Sequence, residues 1–130
     1  MTRPTYIGLA QSRGDWRASP TTATARKILG EGPIPVVRDW ADGKLSWTER
    51  TYRETRGELS EGKDWWQEPQ HVRWRKLLSE SEFVWVRKAK EGETTGSVGK
   101  SKGVWRIANL SVDEDGLSFR LGEMVADVKT

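Results

Sequence analysis

The sequence predicts an α+β fold that is mainly β, a small antiparallel sheet or partly open barrel with one or two short helices. Three observations predict it. Leu117, Phe119 and Leu121 alternate with Ser118 and Arg120, the period of a half-buried strand. Runs rich in β-branched or aromatic residues lie between turn signals at 34–40, 83–88 and 104–110. One segment alone, near residues 20–29, carries both the start and the stop signals of a helix. The length of 130 residues suits a single domain over 1–130, since a chain of this size is too short for two independent cores.

Taken in order, Thr5 to Leu9 reads as a short opening strand and Ser12 to Arg17 as a polar loop. Ser19 is the expected N-cap, with Pro20 at the first helical position and Gly30 as the stop. Arg26 and Lys27 then sit near the helix C-terminus, where the macrodipole favours cations. Ile34 to Trp40, the turn pair Asp42-Gly43 and Leu45 to Arg53 read as a first hairpin. Residues 54–69 read as an exposed loop. Val72 to Leu77 and Phe83 to Lys88 are the next strands, and RWRKLLSESEF between them can equally hold a helical turn. The glycine-rich stretch 91–103 reads as a flexible loop. Val104 to Leu110, the turn DEDG and 117–121 form a last hairpin, and Met124 to Val128 closes a meander.

Composition narrows the function. Charged residues make up 32% and hydrophobic ones 35%, a balance that needs the eight tryptophans to supply a core, each ring burying roughly 150–250 Å². The absence of cysteine excludes a disulfide scaffold, a thiolate metal site and a cysteine nucleophile. It also suits a cytoplasmic protein. No apolar run matches a signal peptide or a membrane span, so no membrane partner is expected. The net charge of +3 is unevenly spread, with nine basic and four acidic residues between 70 and 106 but two and five beyond. Such asymmetry points to an anionic partner.

Within 70–106, indoles adjoin cations in VRWRK, VWVRK and VWR. On a strand, neighbours point to opposite faces. Trp74 would therefore face away from Arg73 and Arg75, and Trp85 would share a side with Phe83 and Arg87, opposite Val84, Val86 and Lys88. Read structurally, the indoles fill the core and the cations coat it. Read functionally, Arg73, Arg75, Lys76, Arg87, Lys88 and Arg106 track phosphates, Trp85 and Trp105 stack on bases at an edge, and Lys100 and Lys102 grip the backbone from the loop. The segments HVRWRKL and GVWRI resemble strands of small PUA-like barrels over residues 70–110. Some of those barrels read RNA or modified bases in an aromatic pocket. The resemblance carries no residue roles.

Trp65 and Trp66, adjacent among charges in EGKDWWQEP, form a second candidate surface, because exposed tryptophans concentrate at protein interfaces. Catalytic inventory is thin. Gly99-Lys100-Ser101 lacks the P-loop's first glycine, with Thr94 in its place. His71 is the only histidine, which rules out a multi-histidine metal site and reads as a surface or strand-edge residue. Asp113-Glu114-Asp115-Gly116 reads as a hairpin turn, not a calcium loop. Glu123, Asp127 and Lys129 are the one arrangement with a nuclease flavour. The expected function is thus nucleic-acid binding, DNA or RNA, with no cofactor, metal or catalytic residue. The alternatives are a protein-binding accessory or inhibitor module docking through Trp65 and Trp66, and a carboxylate-dependent nuclease.

Overall fold

The computed structural model describes residues 5–12, 16–39, 45–56, 65–89 and 98–128. They form strands β1 (Tyr6–Ile7), β2 (Leu9–Ser12), β3 (Arg17–Pro20), β4 (Ile34–Asp39), β5 (Leu45–Ser46), β6 (Thr51–Thr55), β7 (Phe83–Ala89), β8 (Val98–Val112) and β9 (Gly116–Val128). Helix α1 spans Ala23–Leu29 and α2 spans Pro69–Glu80, preceded by a 3-10 turn at Trp65–Gln67. The fold is α+β and mainly β. Its strand path runs β2-β3-β4-β7-β8-β9-β6-β5 and is open, with β1 attached to β9 off that path.

The sheet nevertheless bends back on itself. β1 pairs with β9 while β2 pairs with β3, and Gly8 alone separates them. A side chain at Gly8 would collide with Thr21; its carbonyl accepts from Thr21 N at 3.0 Å. One face of the curled sheet buries Ile7, Ile34, Val36, Trp85, Val104 and Ala126 in a first core. The opposite face buries Val37, Val84, Val86 and Phe119 beneath Trp74 and Leu78 of α2 in a second. Strand alternation in β4 and β7 divides the two, so the facing predicted for Phe83 and Trp85 against Val84 and Val86 is the one observed.

Several elements differ from expectation. Ser19 and Pro20 end β3, and the N-cap is Thr22, whose side chain accepts from Ala25 N at 3.1 Å. Gly30 closes α1 as predicted. β4 does not pair with the next strand. It runs parallel to β7, while β5 and β6 make their own short hairpin and β6 joins β9. Asp42 and Gly43 lie outside the described residues.

The largest correction concerns 72–77, which belong to α2. Pro69 begins this helix, a position where its missing N–H is no loss, and Trp74 and Leu78 are four apart on its buried stripe. HVRWRKL is therefore helical, and of the two segments only GVWRI lies in a strand. The predicted loop 54–69 begins inside β6, with Glu54 buried. Residues 98–103 are part of β8, and the rest of the predicted glycine-rich loop lies outside the described residues. The β8–β9 hairpin forms around DEDG as predicted, but β9 continues through Val128 without a separate final strand. Among the described residues, no helix is long and apolar enough to cross a membrane.

Candidate functional site

Burial sorts the tryptophans. Trp66, Trp74 and Trp85 are buried, Trp16 and Trp105 are half-buried, and Trp47 is 39% exposed. Trp40 and the side chain of Trp65 lie outside what the structure describes. Two of the three rings that keep some exposure come together: Trp47 and Trp105 have ring centres 5.8 Å apart and planes tilted by 56°.

Backbone irregularity aims Trp105. The register of β8 against β9 shifts on both sides of it, and such bulges redirect a side chain out of regular alternation. Gly103 enters the bulge at φ +99, where a Cβ would stand 2.5 Å from Met124 Sδ and 3.1 Å from Trp105 Nε1. Trp105 Nε1 donates to the carbonyl of Lys102 at 2.9 Å. Met124, register partner of Trp105, is itself exposed.

Trp47 is set by the β5–β6 turn. Its Nε1 donates to Asp39 Oδ2 at 3.1 Å, and Ser46 Oγ accepts from Glu49 N inside the turn at 3.2 Å. The turn ends at Arg50 with φ 56, a left-handed conformation that costs a non-glycine residue roughly 1–2 kcal/mol. Leu121 N donates to the Arg50 carbonyl at 2.7 Å, which holds it there. The guanidinium then lies 5.5 Å from the centre of the Trp105 ring, within cation–π range. Lys100 and Lys102 are exposed on β8. The result is a surface patch of two indoles and a thioether, with the Arg50 guanidinium over one ring, Lys102 beside it and the Asp39 carboxylate on the other.

The sequence-predicted residues are distributed differently. Arg73 and Lys76 are exposed, but on α2. Arg75 is half-buried over Trp66 at 4.1 Å and donates to the Trp66 carbonyl at 2.5 Å. Trp85 is a core residue, 2% exposed, whose Nε1 donates to Ser101 Oγ at 3.0 Å. No base can stack on it in this fold. Arg87 lies 4.5 Å over the Trp85 ring and donates to Gln11 Oε1 at 2.7 Å. Burial pushes its pKa down, as it does that of Arg38, where Tyr52 partly opposes the shift. Arg38, the register partner of Arg87, lies 4.3 Å from the centre of the Trp16 ring. Arg106 donates to Glu123 at 2.7 Å and lies 3.9 Å from Glu82, so much of its charge is already answered. Lys88 is exposed.

Trp66, expected on a docking surface, packs in the second core instead. His71 is half-buried on α2 and not at a strand edge. Its Nε2 and Glu54 Oε1 are 2.5 Å apart, and Glu54 Oε2 accepts from Tyr52 at 3.0 Å. Both ring nitrogens are engaged, which leaves no free base. Asp127 accepts from Ser101 and from Val128 N, Glu123 is held by Arg106, and Lys129 lies outside the described residues. Among the described residues, no three metal-ligating side chains cluster.

Sequence reasoning missed Trp47, Arg50 and Met124. A signal for Trp47 existed: it stands in SWTER, where polar neighbours on both sides favour a turn over a strand interior. Against known proteins, the chain matches no family model, no curated protein and no solved structure.

Proposed function

We propose that the chain is a nucleic-acid-binding module of the cytoplasm, a compartment its cysteine-free composition suits, and that Trp47, Trp105, Arg50 and Lys102 form its contact surface. The observation that carries this is the surface indole pair with a guanidinium over one ring and a lysine carbonyl on its edge. Every base has a π face, and stacking one on an aromatic side chain contributes about 1–3 kcal/mol. Neighbouring cations add phosphate attraction, which releases counterions and weakens with salt. Trp85 and Arg75, by contrast, support the fold beneath the surface.

The test is binding of fluorescent single- and double-stranded oligonucleotides across a salt series. Affinity is expected to fall linearly on logarithmic axes, and Trp105→Ala to weaken it. Absence of binding at low salt contradicts the proposal.

A further inference from the structure

We infer that the patch takes the face of one unpaired base of a single-stranded polynucleotide, DNA or RNA, and not a duplex. The inference rests on the nucleic-acid reading above and deepens it. The reason lies in what the two indoles still have to offer. Trp47 Nε1 is committed to Asp39 and Trp105 Nε1 to the carbonyl of Lys102. An indole has no other hydrogen-bonding group. The ring pair therefore presents π surface and no donor.

A duplex displays base edges in its grooves and hides base faces in its stack, and reading those edges requires donors and acceptors. An unpaired base displays the face that matches this patch. The tilt of 56° between the rings also prevents a single flat platform for two consecutive bases. Trp47, the more exposed ring, takes the base, while Trp105 braces it and carries Arg50 on its own face.

The charge inventory fixes a second property. Arg50, over the Trp105 ring, and Lys102, whose carbonyl holds Trp105 Nε1, are exposed cations at the patch, whereas Arg106 is occupied by Glu123 and Glu82. Two phosphate contacts on a single strand give a slope of log affinity against log salt of about −1.4. Such a site tolerates sequence, because stacking reads no base edge.

The experiment compares fluorescein-labelled oligo-dT, oligo-U, a duplex of equal length and an abasic strand of equal length, all at low salt, by fluorescence anisotropy. Both base-bearing single strands are expected to bind at least about tenfold tighter than the duplex. Trp47→Ala should weaken them by about 5- to 150-fold and leave the duplex unchanged. The abasic strand should lose a similar factor with the wild-type protein, a readout that does not depend on a variant folding. A preference between oligo-dT and oligo-U, which differ in the sugar and in the thymine methyl, supports the inference in either direction. Equal or tighter duplex binding, or an abasic strand that binds as well as oligo-dT, overturns it while the nucleic-acid reading stands. Failure of all four probes to bind overturns both.

Discussion

The guanidinium of Arg75 lies 2.8 Å from Nδ1 of His71, and this contact fixes the histidine tautomer. A guanidinium only donates, so Nδ1 must accept and the ring proton sits on Nε2, facing Glu54. Arg75, His71, Glu54 and Tyr52 thereby link α2 to β6 through a chain of satisfied polar groups beside the second core. Its role is to seat the helix.

Glu54→Ala should lower stability by about 3 kcal/mol or more, because it leaves the Tyr52 hydroxyl and His71 Nε2 without their acceptor in a buried setting. Tyr52→Phe removes one donor to a carboxylate and should cost about 1.5–3 kcal/mol. Urea titration followed by far-UV circular dichroism measures both. Nearly unchanged midpoints would show that the chain of contacts does not hold the helix.

Arg87 reaches from β7 to Gln11 of β2, on strands that the backbone ladder does not pair. It acts as a side-chain clasp across the curled sheet. Arg87→Lys should cost most of what Arg87→Ala costs, about 1.5–3 kcal/mol, since lysine cannot both stack flat on Trp85 and reach the amide. Thermal melts of both variants check this, and full retention of stability in Arg87→Lys would contradict it.

How much of this was legible in the sequence differs by element. The β8–β9 hairpin carried its own local signals, an acidic glycine turn flanked by strict alternation at 117–121. In α2, VRWRK locally resembles a strand, although the spacing of His71 with Arg75 and Trp74 with Leu78 is helical and only Val72 is β-branched. The parallel pairing of β4 with β7 had no local signal at all, since it joins residues about fifty apart and its stability comes from two separate cores. The cations between 70 and 106 are close in sequence, and the alternation expected of strands already sets Arg87 opposite Lys88. Arg75 and Arg87 turn inward onto indoles, which sequence order cannot show.

Gly103→Ala should destabilise the protein by roughly 1–2 kcal/mol, the cost of a left-handed backbone for a residue with a Cβ. Met124 is exposed and can swing aside, but Trp105 Nε1 stands 3.1 Å from the new atom and must turn. A shift in tryptophan emission together with weaker oligonucleotide binding is the expected readout. An unchanged spectrum and affinity would show that the bulge does not set the ring.

Arg50→Gly separates stability from binding. Glycine removes the strain at φ 56 at the cost of a more flexible unfolded chain, so stability should hold or rise by up to about 1 kcal/mol. Oligonucleotide affinity should fall, and the salt slope should become shallower by about 0.7 through loss of one phosphate contact. Loss of stability without loss of affinity would place Arg50 in the fold and not in the interface.

The most direct measurement is titration of oligo-dT into protein labelled with ¹⁵N at the tryptophan indoles, at low ionic strength. The Nε1–H resonances of Trp47 and Trp105 are expected to shift progressively, while those of the buried Trp66, Trp74 and Trp85 stay in place. Unmoved Trp47 and Trp105 resonances at saturating oligonucleotide would contradict the assignment of this patch as the nucleic-acid interface.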